Sequence, residues 1–361
     1  MPVSPAELIR SRLANQRLSR SDHGTPADAV AWLGAVQAQD YPAARWALGL
    51  RANGVTDADV ERAFNEGTIL RTHVLRPTWH FVTPRDIRWL LGLTGPRVFA
   101  LNAYWCRKNG LDRKTLRRAR GVLERTLGDG AYHTRSELAA VLDRAGIAAQ
   151  GQRLAYVMMD AELEQVVCSG PRRGKQFTYA LLDERAPKAR VLNTDEALGE
   201  ITRRFFTSHG PATVKDFVWW SGLTVTDVRR GIEIAGRSVV RESVADLTYW
   251  HGGCDSTLPR AAPSAHLLPN YDEYLIAYKD RGHVVAAADA GRWGSGVNAY
   301  AHWLVIDGRF AGIWRRVERP TGIGVTVVPF RPLTVANQRA LASAAKRYSR
   351  FLNVPVELSM A

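Results

Sequence analysis

Cysteine is scarce in this sequence: Cys106, Cys168 and Cys254 are its three copies, far apart along 361 positions. That spacing offers neither a disulfide framework nor the paired ligands of a zinc site. The nine histidines include no His-Glu-x-x-His and no close His/Cys cluster, so no metal is expected. No apolar run approaches the ~20 residues that cross a bilayer. Positions 1–17 are too polar for a signal-peptide core, and the expectation is a cytoplasmic protein without membrane contact. A phosphate-binding glycine loop with lysine and a nucleophile elbow are both missing, which argues against a nucleotide-handling hydrolase. Acidic residues are short as well. Thirty-five Asp and Glu face 49 Lys and Arg, a formal charge of +14. This favours a polyanionic partner, with solubility as the alternative role of the charge.

What is present is an ordinary globular composition, 46% hydrophobic, long enough for two or three domains. One pattern appears clearly twice. Residues 115–127 read as a basic helix, and Thr134 with Glu137 has capping-box spacing at the head of a second. Residues 152–164 carry Leu154, Val157, Met158 and Ala161 at helical spacing. Two short strands, 166–168 and 177–181, then flank the basic turn Gly170-Pro171-Arg172-Arg173-Gly174-Lys175. Helix, helix, helix and two-stranded ribbon is the order of a winged helix, with the basic turn at the wing tip. The second copy runs over 194–250, with helices at 195–207, 214–220 and 228–235 and a ribbon from 238–242 and 247–250. A looser copy lies at the N-terminus: helices at 5–17, 26–37 and 57–66, then alternation over 69–82 that suits two paired strands.

Past Pro259-Arg260-Ala261-Ala262-Pro263 the texture changes to strands at 265–268, 284–288, 301–306, 309–314 and 324–329, closed by a helix over 335–352. Asp307-Gly308 is a hairpin signal. The expected fold class is α+β. It comprises three tandem winged-helix modules, 1–112, 113–190 and 191–258, and a C-terminal β-rich mixed region, 259–361.

Eight of the nineteen residues from Arg107 to Arg125 are Lys or Arg, and the wing tip adds Arg172, Arg173 and Lys175. Such patches suit phosphate contacts, though a basic helix can also be a solvated face. The loop from Asp289 to Gly296 offers Arg292, Trp293 and three glycines, which suits insertion beside stacked bases or a plain flexible connection. Gln37-Ala38-Gln39 follows an apolar stretch read as helix. Two residues apart on a helix sit about 200° apart, so both amides face one centre only if the helix loosens there. Pro42 supports that by restricting Tyr41. Two polar residues at a helix end is the plain alternative.

Four separated motifs in one order resemble the winged-helix DNA glycosylases of the AlkZ type. They are Gln37-Ala38-Gln39-Asp40; Arg71-Thr72-His73-Val74-Leu75-Arg76-Pro77-Thr78-Trp79-His80; Gly210-Pro211-Ala212-Thr213 with Trp219-Trp220-Ser221-Gly222; and Leu267-Leu268-Pro269-Asn270-Tyr271-Asp272-Glu273-Tyr274. The resemblance covers nearly the whole chain. It implies a C-shaped protein around a channel that excises N7-alkylated guanines and unhooks interstrand crosslinks in double-stranded DNA, as a monomer without a cofactor. It makes Gln37 and Gln39 the catalytic pair, in the double-glutamine branch associated with antibiotic self-resistance, and Arg292 with Trp293 the hairpin beside the site. Asp40 and His80 are the other candidate active-site residues. For His80 a structural role competes, for Asp40 a cap or a pair with Arg45, and for Asp272 and Glu273 a turn. The competing function is a non-catalytic DNA-binding protein such as a transcription regulator. Against it, residues 152–164 carry more acid than base after Arg153 and show no obvious base-reading pattern.

Overall fold

The computed structural model describes residues 4–19, 24–244, 247–253, 263–292 and 301–361. The N-terminal segment contains α1 (Pro5–Asn15), α2 (Pro26–Leu33), β1 (Val36–Gln37), α3 (Tyr41–Gly49), α4 (Asp57–Glu66), β2 (Leu70–His73) and β3 (Trp79–Val82). A long helix, α5 (Ile87–Lys108), leads to α6 (Arg113–Leu127), β4 (His133–Thr134), α7 (Arg135–Arg144), α8 (Gly151–Leu163), β5 (Val167–Ser169), β6 (Thr178–Leu181) and α9 (Leu182–Arg185). Next come α10 (Thr194–Ser208), α11 (Val214–Ser221), α12 (Val225–Ala235), β7 (Val240–Val244) and β8 (Leu247–His251). The C-terminal region holds β9 (Ala265–Leu268), α13 (Glu273–Ile276), β10 (His302–Ile306), β11 (Arg309–Arg319), β12 (Gly322–Pro329), α14 (Val335–Leu352) and β13 (Val356–Met360).

Local chemistry explains most boundaries. Thr134 caps α7 and Glu137 returns the bond to the Thr134 N–H, the capping box expected from the spacing. Thr213 with Asp216 and Thr224 with Asp227 do the same for α11 and α12. Asp307 and Gly308 both adopt left-handed backbone, joining β10 to β11 in a tight hairpin with Ile306 opposite Arg309.

Three expectations change. Residues 26–37 are not one helix: α2 stops at Gly34, and Val36–Gln37 is a strand. Residues 41–49 form α3, because Pro42 lies in its first turn, where no helical N–H is needed. The strand expected at 284–288 is absent. The N–H groups of Val284 and Val285 both turn back to the Arg281 carbonyl, and a 3-10 turn, Ala287–Arg292, follows. Both valines are buried, so this run lacks the alternation of a half-buried strand.

The core is shared across segments. Leu33, Trp46 and Phe64 pack in one cluster with Leu267, Trp314 and Val325 of the C-terminal sheet, whose order is β13-β12-β11-β10-β9. The other side of the N-terminal sheet, through Leu70 and Val82, joins Trp89, Phe205, Phe217 and Trp220. Residues 111–179 keep a separate core around Leu123, Leu138 and Met158.

Gly222 locks α11 to the β2–β3 loop. Its φ is +71°, and a Cβ there would meet the Leu75 carbonyl oxygen at 2.4 Å. Gly54 has φ +72° with open space around it. Gly54→Ala should therefore cost about 1 kcal/mol for the left-handed backbone alone, and Gly222→Ala roughly 1–3 kcal/mol more for the clash. Equal losses in denaturant unfolding would mean that the Leu75 backbone yields freely.

Candidate active site

The N-terminal sheet has the order β1-β3-β2, with Gln37 opposite His80 and His80 opposite Thr72. Those three side chains therefore form one row across the sheet. Extended backbone carries residues two apart to the same side. Here the strand ends at Gln37 and the chain bends at Gln39, although the Ala38 N–H still donates to the Trp79 carbonyl at 2.7 Å. Ala38 is fully buried, Gln37 is 9% exposed and Gln39 is exposed. The Trp79 N–H approaches Gln39 Oε1 at 3.4 Å.

Gln37 is held from two directions. Its N–H donates to Glu273 Oε1 at 2.9 Å, and its Oε1 lies 3.4 Å from Arg76 Nη2. Glu273 is fully buried, and its other oxygen accepts from Trp220 Nε1 at 2.9 Å. Burial alone would raise the Glu273 carboxyl; His209 and the Gln37 N–H outweigh it and hold its pKa below the ordinary value. The neighbouring Asp272 makes a buried bidentate pair with Arg51, at 2.8 Å for each bond.

His80 is fully buried and its Nδ1 lies 2.9 Å from the Thr78 carbonyl, so that nitrogen carries the hydrogen. Desolvation, with Arg76 nearby, pushes its pKa down to about 3. His80 Nε2, Thr72 Oγ1, Thr78 Oγ1 and Arg76 Nε are buried without a hydrogen-bond partner among the described residues. Around Gln37 the chain thus offers neutral amides, a neutral imidazole, a guanidinium and a buried carboxylate. Such a set orients a polar molecule and shapes potential; it does not supply a proton.

Asp40 caps α3, accepting the Ala43 N–H at 3.1 Å. Arg45 pairs with Asp57 and Glu61 instead of Asp40. Arg172 does not project from the wing tip. It is 15% exposed, 3.5 Å from Glu61, with its guanidinium over Tyr41 and Phe177. Arg173 is exposed but pairs with Glu137 at 2.6 Å, and Lys175 is exposed. Arg292 is exposed and lies over the ring of Phe330, just past the end of β12, 4.0 Å from Asp289. Trp293 and Cys254 lie outside the described residues. The structure thus gathers Gln37, Gln39 and His80, with Asp40 beside them; the wing and Arg292 are separate features.

Sequence reasoning missed Arg76 and underrated Glu273. Each lies in a motif quoted above, but the contact between Gln37 and Glu273 spans 236 residues, and no periodicity reports such a meeting. Among the described residues no group of three or more His, Cys, Asp or Glu side chains is placed to hold a metal ion, and no helix is long and apolar enough to cross a membrane.

A family model described as DNA glycosylase AlkZ-like matches residues 30–351. An interstrand DNA cross-link repair glycosylase of Streptomyces sahachiroi is 26% identical over 352 residues, 91% of each chain. The solved structure of the Streptomyces sahachiroi DNA glycosylase AlkZ superposes with a TM-score of 0.84 at 22% identity, covering 99% of this chain and 100% of that one.

The buried neutral His80 makes stability depend on pH. Its folded pKa, about 3, lies below the ordinary 6.5, so its contribution is complete above 6.5 and is lost as pH falls towards the folded value. One such group withdraws about 2 kcal/mol by about pH 5. His80→Gln should therefore flatten the loss of unfolding free energy between pH 6.5 and about 5, whatever its effect at neutral pH. An unchanged slope would mean that His80 titrates normally in the fold.

Proposed function

We propose that this chain, which belongs to the AlkZ-like DNA glycosylase family, hydrolyses the N-glycosidic bond of N7-alkylated guanine in double-stranded DNA and unhooks interstrand crosslinks made through such guanines. The reading extends to three tandem winged-helix modules, to a monofunctional enzyme acting as a monomer in the cytoplasm, and to self-resistance against a DNA-alkylating antibiotic. The observation that carries the catalytic reading is the setting of Gln37-Ala38-Gln39: Glu273 holds the Gln37 backbone N–H, Arg76 lies beside the Gln37 side-chain carbonyl, and Gln39 is exposed two residues on.

A guanine alkylated at N7 is cationic, so the C1′–N9 bond is already weakened and the base leaves without a general acid. Water attacks C1′, the C1′–N9 electron pair goes to N9, the base departs neutral, and one proton of the attacking water passes to solvent. A neutral amide is too weak a base to remove that proton in the rate-limiting step. It can fix the water by hydrogen bonding and direct its carbonyl dipole at the positive charge growing on the sugar. Glu273, one hydrogen bond behind the Gln37 backbone, adds negative potential of the right sign for an oxocarbenium-like transition state. Because the described residues around Gln37 offer no general acid, unmodified purines, whose leaving group is poor, are left intact. Selectivity then needs no closed pocket, which suits a crosslinked base unable to flip freely.

The test uses duplex DNA with a single N7-methylguanine, followed by alkaline cleavage of abasic sites. Gln37→Ala and Gln39→Ala should each slow single-turnover excision by about a hundredfold, roughly 3 kcal/mol of barrier, with DNA affinity and melting temperature little changed. Gln39→Glu should keep more activity than Gln39→Ala, since it retains the geometry and adds an anion near the cation. Excision at the parental rate in either alanine variant removes that glutamine from the mechanism. Binding without abasic-site formation by the parent would return the chain to the class of non-catalytic DNA binders.

A further inference from the structure

Next to Gln37 lies a cluster that the proposed chemistry leaves unused. Trp219, on α11, is 38% exposed, and its Nε1 donates to the Ile276 carbonyl at 2.8 Å, which fixes the ring. Three cations gather around that one indole: Lys279 Nζ at 4.6 Å from the ring centroid, Arg281 at 5.8 Å and Arg76 at 6.0 Å. They come from two separate stretches of chain, the β2–β3 loop and the turn after α13.

The turn is built to hold its position. Asp216 Oδ1 accepts the backbone N–H groups of Lys279 and Asp280, at 2.8 and 3.3 Å, while its Oδ2 is taken by Thr213. Arg281 Nε donates to the Leu275 carbonyl at 2.9 Å. Of the nearby carboxylates, Asp216 is engaged with backbone and Glu273 with Gln37 and Trp220, while the exposed Asp280, which accepts the Gly282 N–H at 2.8 Å, acts on the Arg281 charge. Arg76 keeps a buried Nε without a partner among the described residues. Burial lowers the pKa of both Arg76 and Arg281; Glu273 opposes this at Arg76, and at Arg281 Asp216 and Asp280 oppose it while Arg76 adds to it. Packing three cations around one ring is unfavourable by itself, and an anion placed among them relieves it.

We propose that Trp219, Arg76, Lys279 and Arg281 form a subsite for one phosphodiester of the DNA strand, adjacent to the nucleotide whose glycosidic bond is cut. This rests on the glycosylase reading for its strand and on the cluster's geometry for its ligand. The phosphate sits among the cations, and the exposed indole supports the neighbouring sugar or base. A backbone phosphate fits better than a base edge, since the cluster presents positive charge from three sides. Arg76 couples the subsite to the reaction. Its contact with Gln37 Oε1, at 3.4 Å, is long for a hydrogen bond. A charged phosphate oxygen outcompetes that amide for the guanidinium, and the Gln37 carbonyl is released towards water when DNA is in register.

The test is phosphate neutralisation. Duplexes carry a tetrahydrofuran abasic analogue at the lesion position and one uncharged methylphosphonate at a time in the flanking backbone. Parent, Lys279→Gln and Trp219→Ala are compared for affinity and its salt dependence, and melting temperatures check that each variant is folded. On the unmodified duplex Lys279→Gln should weaken binding and reduce the salt slope by about one ion. One flanking methylphosphonate should weaken the parent to the same degree yet hardly affect Lys279→Gln, because both remove one contact. Trp219→Ala should lose affinity with the same positional dependence. Losses that multiply at every methylphosphonate, or a Lys279→Gln variant that binds like the parent, overturn the subsite. Excision of N7-methylguanine by the same parental preparation separates the two readings. Absent excision with a non-additive phosphate sinks the glycosylase reading alone; excision with multiplying losses sinks the subsite alone.

Discussion

The buried carboxylate of Glu273 is the joint around which the site is assembled. Its two oxygens accept from the Gln37 backbone and the Trp220 indole, so one side chain of the C-terminal region ties the first sheet to α11. The strand β1 is only two residues long. Two residues of pairing to β3 would hold it weakly, and the Glu273 bond is what fixes its free edge. Removing that acceptor would leave two buried N–H groups unsatisfied, each costing about 1–3 kcal/mol. A neutral amide at the same place could accept from one donor only and would face the other with its own N–H.

Why the protein uses ions here follows from the surroundings. Asp272 is neutralised by Arg51, which also bonds the Gln16 carbonyl and side chain, so α1, α3 and α13 meet at one guanidinium. Arg12 lies over the Tyr278 ring and donates to the Pro211 carbonyl. Buried pairs of this kind add little net stability over a well-packed apolar core, but losing one partner is costly. Their effect is to define how segments distant in sequence sit against each other. The site is made of such segments: a strand edge from the first, an indole and an imidazole from the third, and a carboxylate from the last.

Legibility in the sequence divides along the same line. Helices with their own caps, such as α7 and α12, and the hairpin at Asp307-Gly308 depend on neighbours within a few residues, and their spacing showed them. The α+β class and the helix-rich first two thirds were readable for that reason. The strand at Val36–Gln37 was not, because two residues carry no period, and its pairing partner lies beyond residue 78. α3 was obscured by Pro42, which marks a break when read locally and a first helical turn once Asp40 caps it. The failure at 284–288 has the opposite origin: a β-branched pair suggested a strand, but burial on both sides let the chain turn. For the site, family resemblance supplied the glutamines; the contacts of Gln37 with Arg76 and Glu273 needed the fold.

The resulting electrostatics suit the proposed cationic substrate in a particular way. Overall charge is positive, +14, which draws DNA but opposes a cationic base and a cationic transition state. Glu273 offsets that conflict locally. It lies behind the Gln37 backbone, shielded from solvent, where its field is screened less than that of a surface acid. Trp219 and Lys279, near Arg76, are exposed to solvent. On the proposed reading, positive charge lies where a phosphate would arrive and negative charge where the sugar would turn positive, with Arg76 in contact with Gln37. His80 adds no second cation to the row it shares with Gln37 near neutral pH, because burial, with Arg76 nearby, lowers its pKa to about 3.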